Sequence, residues 1–197
     1  DGIFINTAGI GVFLNGRKPL AQKIAPGDKI IITGYMASHG MAVLAARENM
    51  DFNPPIESDV APLSALIDQV LQADSAINAM RDPTRGGVAA TLFEWVTPET
   101  DIVIEEQSLP VRPDVAAACA ILGMDPLYIA NEGIVLLSVP ARDAESVLRI
   151  LQSVERGKHA AIIGEVREGG GSVYALTEYG THRRIMMPRG ELLPRIC

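Results

Sequence analysis

The sequence predicts an α/β (α+β) fold: one mixed, partly antiparallel sheet with helices packed on it. Three observations predict it. Short runs rich in β-branched residues alternate with longer stretches whose apolar residues recur at i, i+3 and i+4. The last three predicted strands follow one another through short glycine-rich turns, so they are expected to run antiparallel. The composition, 48% hydrophobic against 21% charged, is that of a chain able to bury a core.

In chain order, Ile3 to Phe13 reads as a strand closed by a turn at Asn15-Gly16. The turn Pro26-Gly27-Asp28 opens a strand from Lys29 to Thr33, which Gly34 ends. Ser38 is expected to cap a helix running to about Asn49, with Met41, Leu44 and Ala45 on one face. A proline-rich loop, Asn53 to Asp59, precedes a helix from about Pro62 to Ala73 with Leu63, Leu66, Ile67, Val70 and Leu71 inward. Strand Ile77 to Met80 leads through Asp82-Pro-Thr-Arg-Gly-Gly87 into a helix from Val88 to Val96. Strand Ile102 to Glu105, helix Pro113 to Leu122, strand Ile134 to Val139 and helix Ala141 to Ser153 follow. Strands Ala161 to Val166, Val173 to Leu176 and Arg183 to Met187 close the body, joined at Gly169-Gly-Gly171 and Tyr179-Gly180. The last ten residues hold two prolines and a glycine and are expected to trail as a flexible tail.

A net charge of -7 with scattered basic residues, Arg183-Arg184 apart, excludes a nucleic-acid surface. No apolar run approaches the ~18 residues that cross a bilayer, and no secretory signal pattern opens the chain, so the expected location is the cytoplasm. Cys119 lies in the apolar run Val115 to Leu122 and is expected to be a buried small hydrophobe. Cys197 is the last residue, and in a reducing compartment it stays a free thiol. The strand pattern begins at once, without Met, which is expected of a piece of a longer protein.

Four segments have the residue types for chemistry. In Asp82-Pro-Thr-Arg-Gly-Gly87, the glycines at a helix start let backbone approach an anion, Arg85 adds a guanidinium, and Asp82 suits Mg²⁺ or a nucleotide. The alternative is an ordinary helix start with Asp82 as cap and Pro83 in first position. His39 and Gly40 open a helix and offer a second anion site, or His39 is structural. Glu132, at the entrance of an apolar strand, is a candidate base or a plain turn residue. The tail ends in a thiol, with Leu192, Leu193 and Ile196 able to dock. Pocket-building glycines together with a mobile terminal thiol point to ATP-linked modification of that thiol.

Several pieces together resemble the HypE family of hydrogenase maturation proteins, in the aminoimidazole ribonucleotide synthetase-like superfamily of ATP-using enzymes. They are Phe4-Ile-Asn-Thr-Ala-Gly-Ile-Gly11, Ser38-His-Gly40, Arg81-Asp-Pro-Thr-Arg-Gly-Gly87, Leu109-Pro-Val-Arg-Pro113, Ala130-Asn-Glu-Gly133, Ile163-Gly-Glu165 and Pro194-Arg-Ile-Cys197. Ala37-Ser38 stands where the family often has Gly-Asp, and Ile134 where it often has Lys. The resemblance implies a fold like the C-terminal domain of the superfamily. Residues 1–20 would be the connecting strand from an N-terminal ATP-binding domain, 21–187 the C-terminal α/β domain, and 188–197 the tail. It implies that HypF carbamoylates Cys197 and that ATP drives dehydration of that group to a thiocyanate, with Mg²⁺ as cofactor. The cyanide then passes to iron on the HypC–HypD complex. It also implies a homodimer in the full-length protein, with no nucleic-acid or membrane partner. The residues it implicates are Cys197 and Glu132 in catalysis, with Asp82, Thr84, Arg85, Gly86, Gly87, His39 and Gly40 on nucleotide or phosphate. Asp82 also takes the metal, and Pro194, Arg195 and Ile196 belong to the tail. The alternatives are a partner-binding module without activity of its own, or another ATP-using member of the superfamily.

Overall fold

Three isoleucines in a row make the centre of the sheet. In β1, Lys29–Ile32, Ile30 and Ile32 face one side and Ile31 the other, all fully buried. The computed structural model describes residues 2, 6, 8–13, 18–73 and 75–188. The expected turn at Asn15-Gly16, part of the first expected strand, and the tail from residue 189 lie outside the described residues, and residues 8–13 carry no strand.

The other strands are β2 (Ala79–Arg81), β3 (Thr100–Glu105), β4 (Leu136–Val139), β5 (Ala161–Glu168), β6 (Val173–Leu176) and β7 (His182–Arg184). Their order across the sheet is β2-β4-β1-β5-β3-β6-β7, and only β3 with β6 is parallel. The mixed sheet is therefore as expected, and β6 and β7 form the expected hairpin. β5 and β6 run in opposite directions, as expected, but they are not neighbours, because β3 lies between them. The physical reason is Asp101, at the start of β3. Its Oδ1 accepts the Gly170 N–H (2.9 Å) and the Ser172 N–H (2.7 Å), so the glycine turn is carried over the end of β3 instead of folding back.

The helices are α1 (Ser38–Arg47), α2 (Ser64–Gln72), α3 (Gly87–Trp95), α4 (Pro113–Leu122) and α5 (Ala141–Gln152). Helix α3 covers one face of the sheet through Val88, Ala89, Leu92 and Trp95. The other face is covered by Leu66 and Val70 of α2 and by Ala144, Val147 and Leu151 of α5. Helices α1 and α4 pack together in a third apolar cluster that contains Met41, Val115 and Cys119. Cys119 is buried as expected, and burial pushes its thiol up to about 11, so it stays protonated and unreactive.

Two expected caps are corrected. Ser38 is the first residue of α1, whose cap is Ala37 in a left-handed conformation, φ 70°. Helix α3 starts four residues beyond Pro83, with Gly86 as its cap, so Asp82 and Pro83 do not start a helix. A buried carboxylate braces the sheet. Asp28 Oδ2 accepts from Asn78 Nδ2 (2.8 Å), Ser138 Oγ (2.8 Å) and the Ala25 N–H (3.2 Å).

At Gly164 the sheet has no room for a side chain. An added Cβ would stand 2.2 Å from the Val103 carbonyl oxygen on β3, beside the place where the β1–β5 register shifts. Gly164→Ala should therefore lower stability by about 1–3 kcal/mol, seen as a lower urea midpoint at an unchanged slope.

Candidate functional site

The turn before β4 is organised by one side chain, Asn131, which is fully buried. Its Oδ1 accepts the Ala37 N–H (2.7 Å) at the start of α1. Its Nδ2 donates to the Pro83 carbonyl (2.9 Å) and the Ile129 carbonyl (3.0 Å). Asn131 thereby joins three of the four segments that the sequence singles out: Ser38 to Gly40, Asp82 to Gly87, and Ala130 to Gly133. The Gly40 N–H adds a bond to the Ala130 carbonyl (3.0 Å). Two amides at the start of α1 are thus taken by the protein itself and are not open to an anion.

Gly86 and Gly87 are both in the left-handed region, φ 74° and 63°. An added Cβ at Gly87 would lie 2.5 Å from the Leu127 carbonyl oxygen, and one at Gly86 would lie 2.7 Å from Ala90 Cβ. These glycines bring the start of α3 against the protein's own 127–129 turn. Around them, Asp82 and Arg85 are exposed and Thr84 is half-buried, with its carbonyl accepting the Gly87 N–H (3.1 Å). Arg81 lies 3.7 Å from Asp82 and 3.3 Å from Glu94.

On the opposite side a loop that the sequence reading passed over closes in. Asp59 Oδ1 accepts the Glu132 N–H (3.2 Å), and the Asp59 carbonyl presses so near Gly133 that an added Cβ there would be 1.7 Å away. Next to it, His39 Nδ1 meets Ser58 Oγ at 2.8 Å. Burial is the main influence on the Asp59 carboxyl and raises its pKa, although backbone N–H groups of Glu132 and Gly133 and the nearby His39 pull the other way. Glu132 itself is half-buried.

The structure thus gathers the backbones of the 38–40, 82–87 and 130–133 segments and adds Asp59. Cys197, Pro194, Arg195 and Ile196 lie outside the described residues. Among the described residues no group of three or more His, Cys, Asp or Glu side chains is placed to hold a metal ion. Asp82, a single exposed carboxylate beside Arg81, does not fit a protein-built Mg²⁺ site. Two contributors went unseen in the sequence. Asn131 had a faint signal, an amide next to a strand-entry glycine. Asp59 had none, because its partners are 20 and 73 positions away.

The family described as AIR synthase related protein, C-terminal domain, matches residues 25–176. Over its whole length the chain is 43% identical to the carbamoyl dehydratase HypE of Rhodobacter capsulatus and covers 58% of that protein. Among solved structures, that of a HypE–HypF complex matches with a TM-score of 0.80 at 44% identity, over 85% of this chain and 55% of that one. The crystal structure of the hydrogenase maturation protein HypE in complex with ATP matches with a TM-score of 0.85 at 37% identity, over 91% of this chain and 55% of that one. The fold is thus the expected one, and the chain spans less than two thirds of the length of the relatives it matches.

Asn131→Ala should cost about 2–4 kcal/mol in denaturant unfolding, because it strands a buried N–H and two buried carbonyls at once. Asp59 should show the opposite sign at neutral pH. Its raised pKa means that the folded state binds a proton more tightly than the unfolded chain does. Its contribution to stability is then full below the ordinary carboxylate value and is lost as pH rises through the raised one. Asp59→Asn should accordingly melt at a higher temperature than the parent at neutral pH, and the gap should close on acidification to below about pH 4.

Proposed function

The chain belongs to the AIR synthase related protein, C-terminal domain, family, and from that premise we propose that it is the C-terminal portion of an ATP-dependent S-carbamoyl dehydratase of [NiFe] hydrogenase maturation. The observation that carries this reading is the likeness to HypE along the whole chain. The meeting of the 38–40, 82–87 and 130–133 segments around Asn131 supports it by giving the chemistry one location.

In this reading HypF transfers a carbamoyl group to the Cys197 thiolate. The carboxamide oxygen attacks the γ-phosphorus of ATP, ADP leaves, and the oxygen then departs as part of inorganic phosphate. Both amide protons depart, and an S-bound nitrile remains on the cysteine. An amide oxygen is a poor leaving group, and phosphorylation makes it a good one. Arg85 stabilises charge on the transferring phosphoryl group. Glu132 takes a proton from the carboxamide nitrogen. Its peptide N–H is held by Asp59, and the preceding residue, Asn131, is tied to the start of α1. Ten extended residues reach about 33 Å, at roughly 3.3 Å each, so a tail of that length can serve both the partner and its own site. The nitrile is then delivered as cyanide to iron on HypC–HypD. The full-length protein is a cytoplasmic homodimer that supplies the remaining ATP-binding groups from its N-terminal domain. The 58% coverage of the relative favours a second reading for the chain taken alone, that of a partner-binding unit without turnover.

In the full-length protein incubated with HypF, carbamoyl phosphate and ATP, Cys197→Ala should yield no protein-bound nitrile. Glu132→Gln should still be carbamoylated but should stall there. Mass spectrometry of the C-terminal peptide distinguishes the two adducts, and a nitrile on the Glu132→Gln protein would remove Glu132 from the role of base.

A further inference from the structure

Buried side-chain polar atoms nearly always find a partner, because leaving one unpaired costs about 1–3 kcal/mol. Among the described residues, those that make no hydrogen bond within the protein are Ser38 Oγ, His39 Nε2 and Asp59 Oδ2. They belong to the start of α1 and to the loop that meets it. Ser38 and His39 are consecutive, and Asp59 acts electrostatically on His39. Ser58, next to Asp59, is hydrogen-bonded to the His39 ring. Each atom belongs to a side chain or loop whose other end is fixed. Asp59 Oδ1 holds the Glu132 N–H. His39 Nδ1 is engaged by Ser58. Gly40, which follows His39, is tied to Ala130.

The donor and acceptor pattern says what fits there. Ser58 Oγ accepts the Val60 N–H (3.1 Å) and still has a hydroxyl hydrogen and a second lone pair, so it can serve either tautomer of His39 at Nδ1. The unpaired set is then a ring nitrogen on His39 that donates in the Nε2–H tautomer, an acceptor on Asp59, and a hydroxyl that serves as either. A phosphate oxygen would be repelled by the Asp59 carboxylate. A primary carboxamide, with N–H donors beside a carbonyl acceptor, complements both partners.

We infer that Asp59 and His39, with Ser38, form the subsite for the uncharged carboxamide head of the substrate, whereas phosphate is handled at the Thr84–Gly87 turn. This moves His39 from the phosphate side to the amide side. It rests on the dehydratase reading above. Asp59 accepts an amide N–H and His39 donates to the amide oxygen, so the nitrogen is presented on the side of the turn that bears Glu132. The nitrile product has no N–H to offer Asp59, so the same pair releases it more readily than it holds the substrate.

The test uses the full-length protein with Cys197 carbamoylated by HypF, in four forms: parent, Asp59→Asn, His39→Gln and Arg85→Ala. Three quantities are read: the carbamoyl adduct by mass, ATP affinity by titration, and the single-turnover rate of nitrile formation. Asp59→Asn and His39→Gln should carry the adduct and bind ATP within about twofold of the parent. Each should form nitrile about tenfold or more slowly, the factor expected for one lost hydrogen bond to a charged or strongly polar group. Arg85→Ala should weaken ATP binding. The subsite is overturned if nitrile formation in Asp59→Asn and His39→Gln stays within twofold of the parent, or if their ATP affinity falls as far as in Arg85→Ala. If one of the two fails to fold, judged by thermal melting, the other decides. A parent protein that holds the carbamoyl adduct and ATP yet makes no nitrile would instead refute the dehydratase reading itself.

Discussion

The site depends on one buried amide. Asn131 has two N–H donors and one carbonyl, and it spends them on three backbone positions that are 94, 48 and 2 residues away. Each partner is a peptide group at the end of an element, where the helix and strand ladders leave groups unpaired. No apolar residue could satisfy them, and Asp could not donate to the two carbonyls. The constraint is therefore chemical as well as steric. It fixes how near the start of α1 and the 82–87 turn stand to the entrance of β4, and so where Glu132 sits relative to both.

The glycines around Asn131 make this possible. Gly87 meets the 127–129 backbone and Gly133 meets the Asp59 carbonyl, at separations that any side chain would violate. A sequence reader sees glycines at a helix start and thinks of a ligand approaching. In this protein the approaching backbone is its own, and the ligand-facing chemistry is left to side chains at the rim. Arg85 is exposed on one side, while Ser38, His39 and Asp59 keep buried polar atoms unpaired on the other.

Local signals were legible where local physics decides. Helix α4 runs from Pro113 to Leu122 as expected, since Pro in first position starts it and Gly123, φ 64°, ends it. The strand runs from Lys29 onward and the apolar face of α2 were equally plain. Three things were not. The place of β3 between β5 and β6 depends on the Asp101 carboxylate catching a turn some seventy residues later. The close approach at the start of α3 depends on Gly87 meeting a remote turn. Asp59 lies in a loop that looks like a spacer, and its partners exist only once the chain has folded. The candidate residues on backbone turns could be found from the sequence, but the contacts that aim them could not.

Asp59 shows how stability and chemistry divide a single carboxyl group. One oxygen does structural work on the Glu132 peptide, which any acceptor of that shape would do as well. The other is buried without a hydrogen bond, and burial raises the pKa of the group, which is the mark of a charge held at a cost. A sequence selected for stability alone would replace that second oxygen with a group that needs no partner there. Keeping it is sensible only if something polar and hydrogen-donating arrives. The histidine beside it, engaged by Ser58 at Nδ1 and unpaired at Nε2, favours a visitor with donor and acceptor side by side.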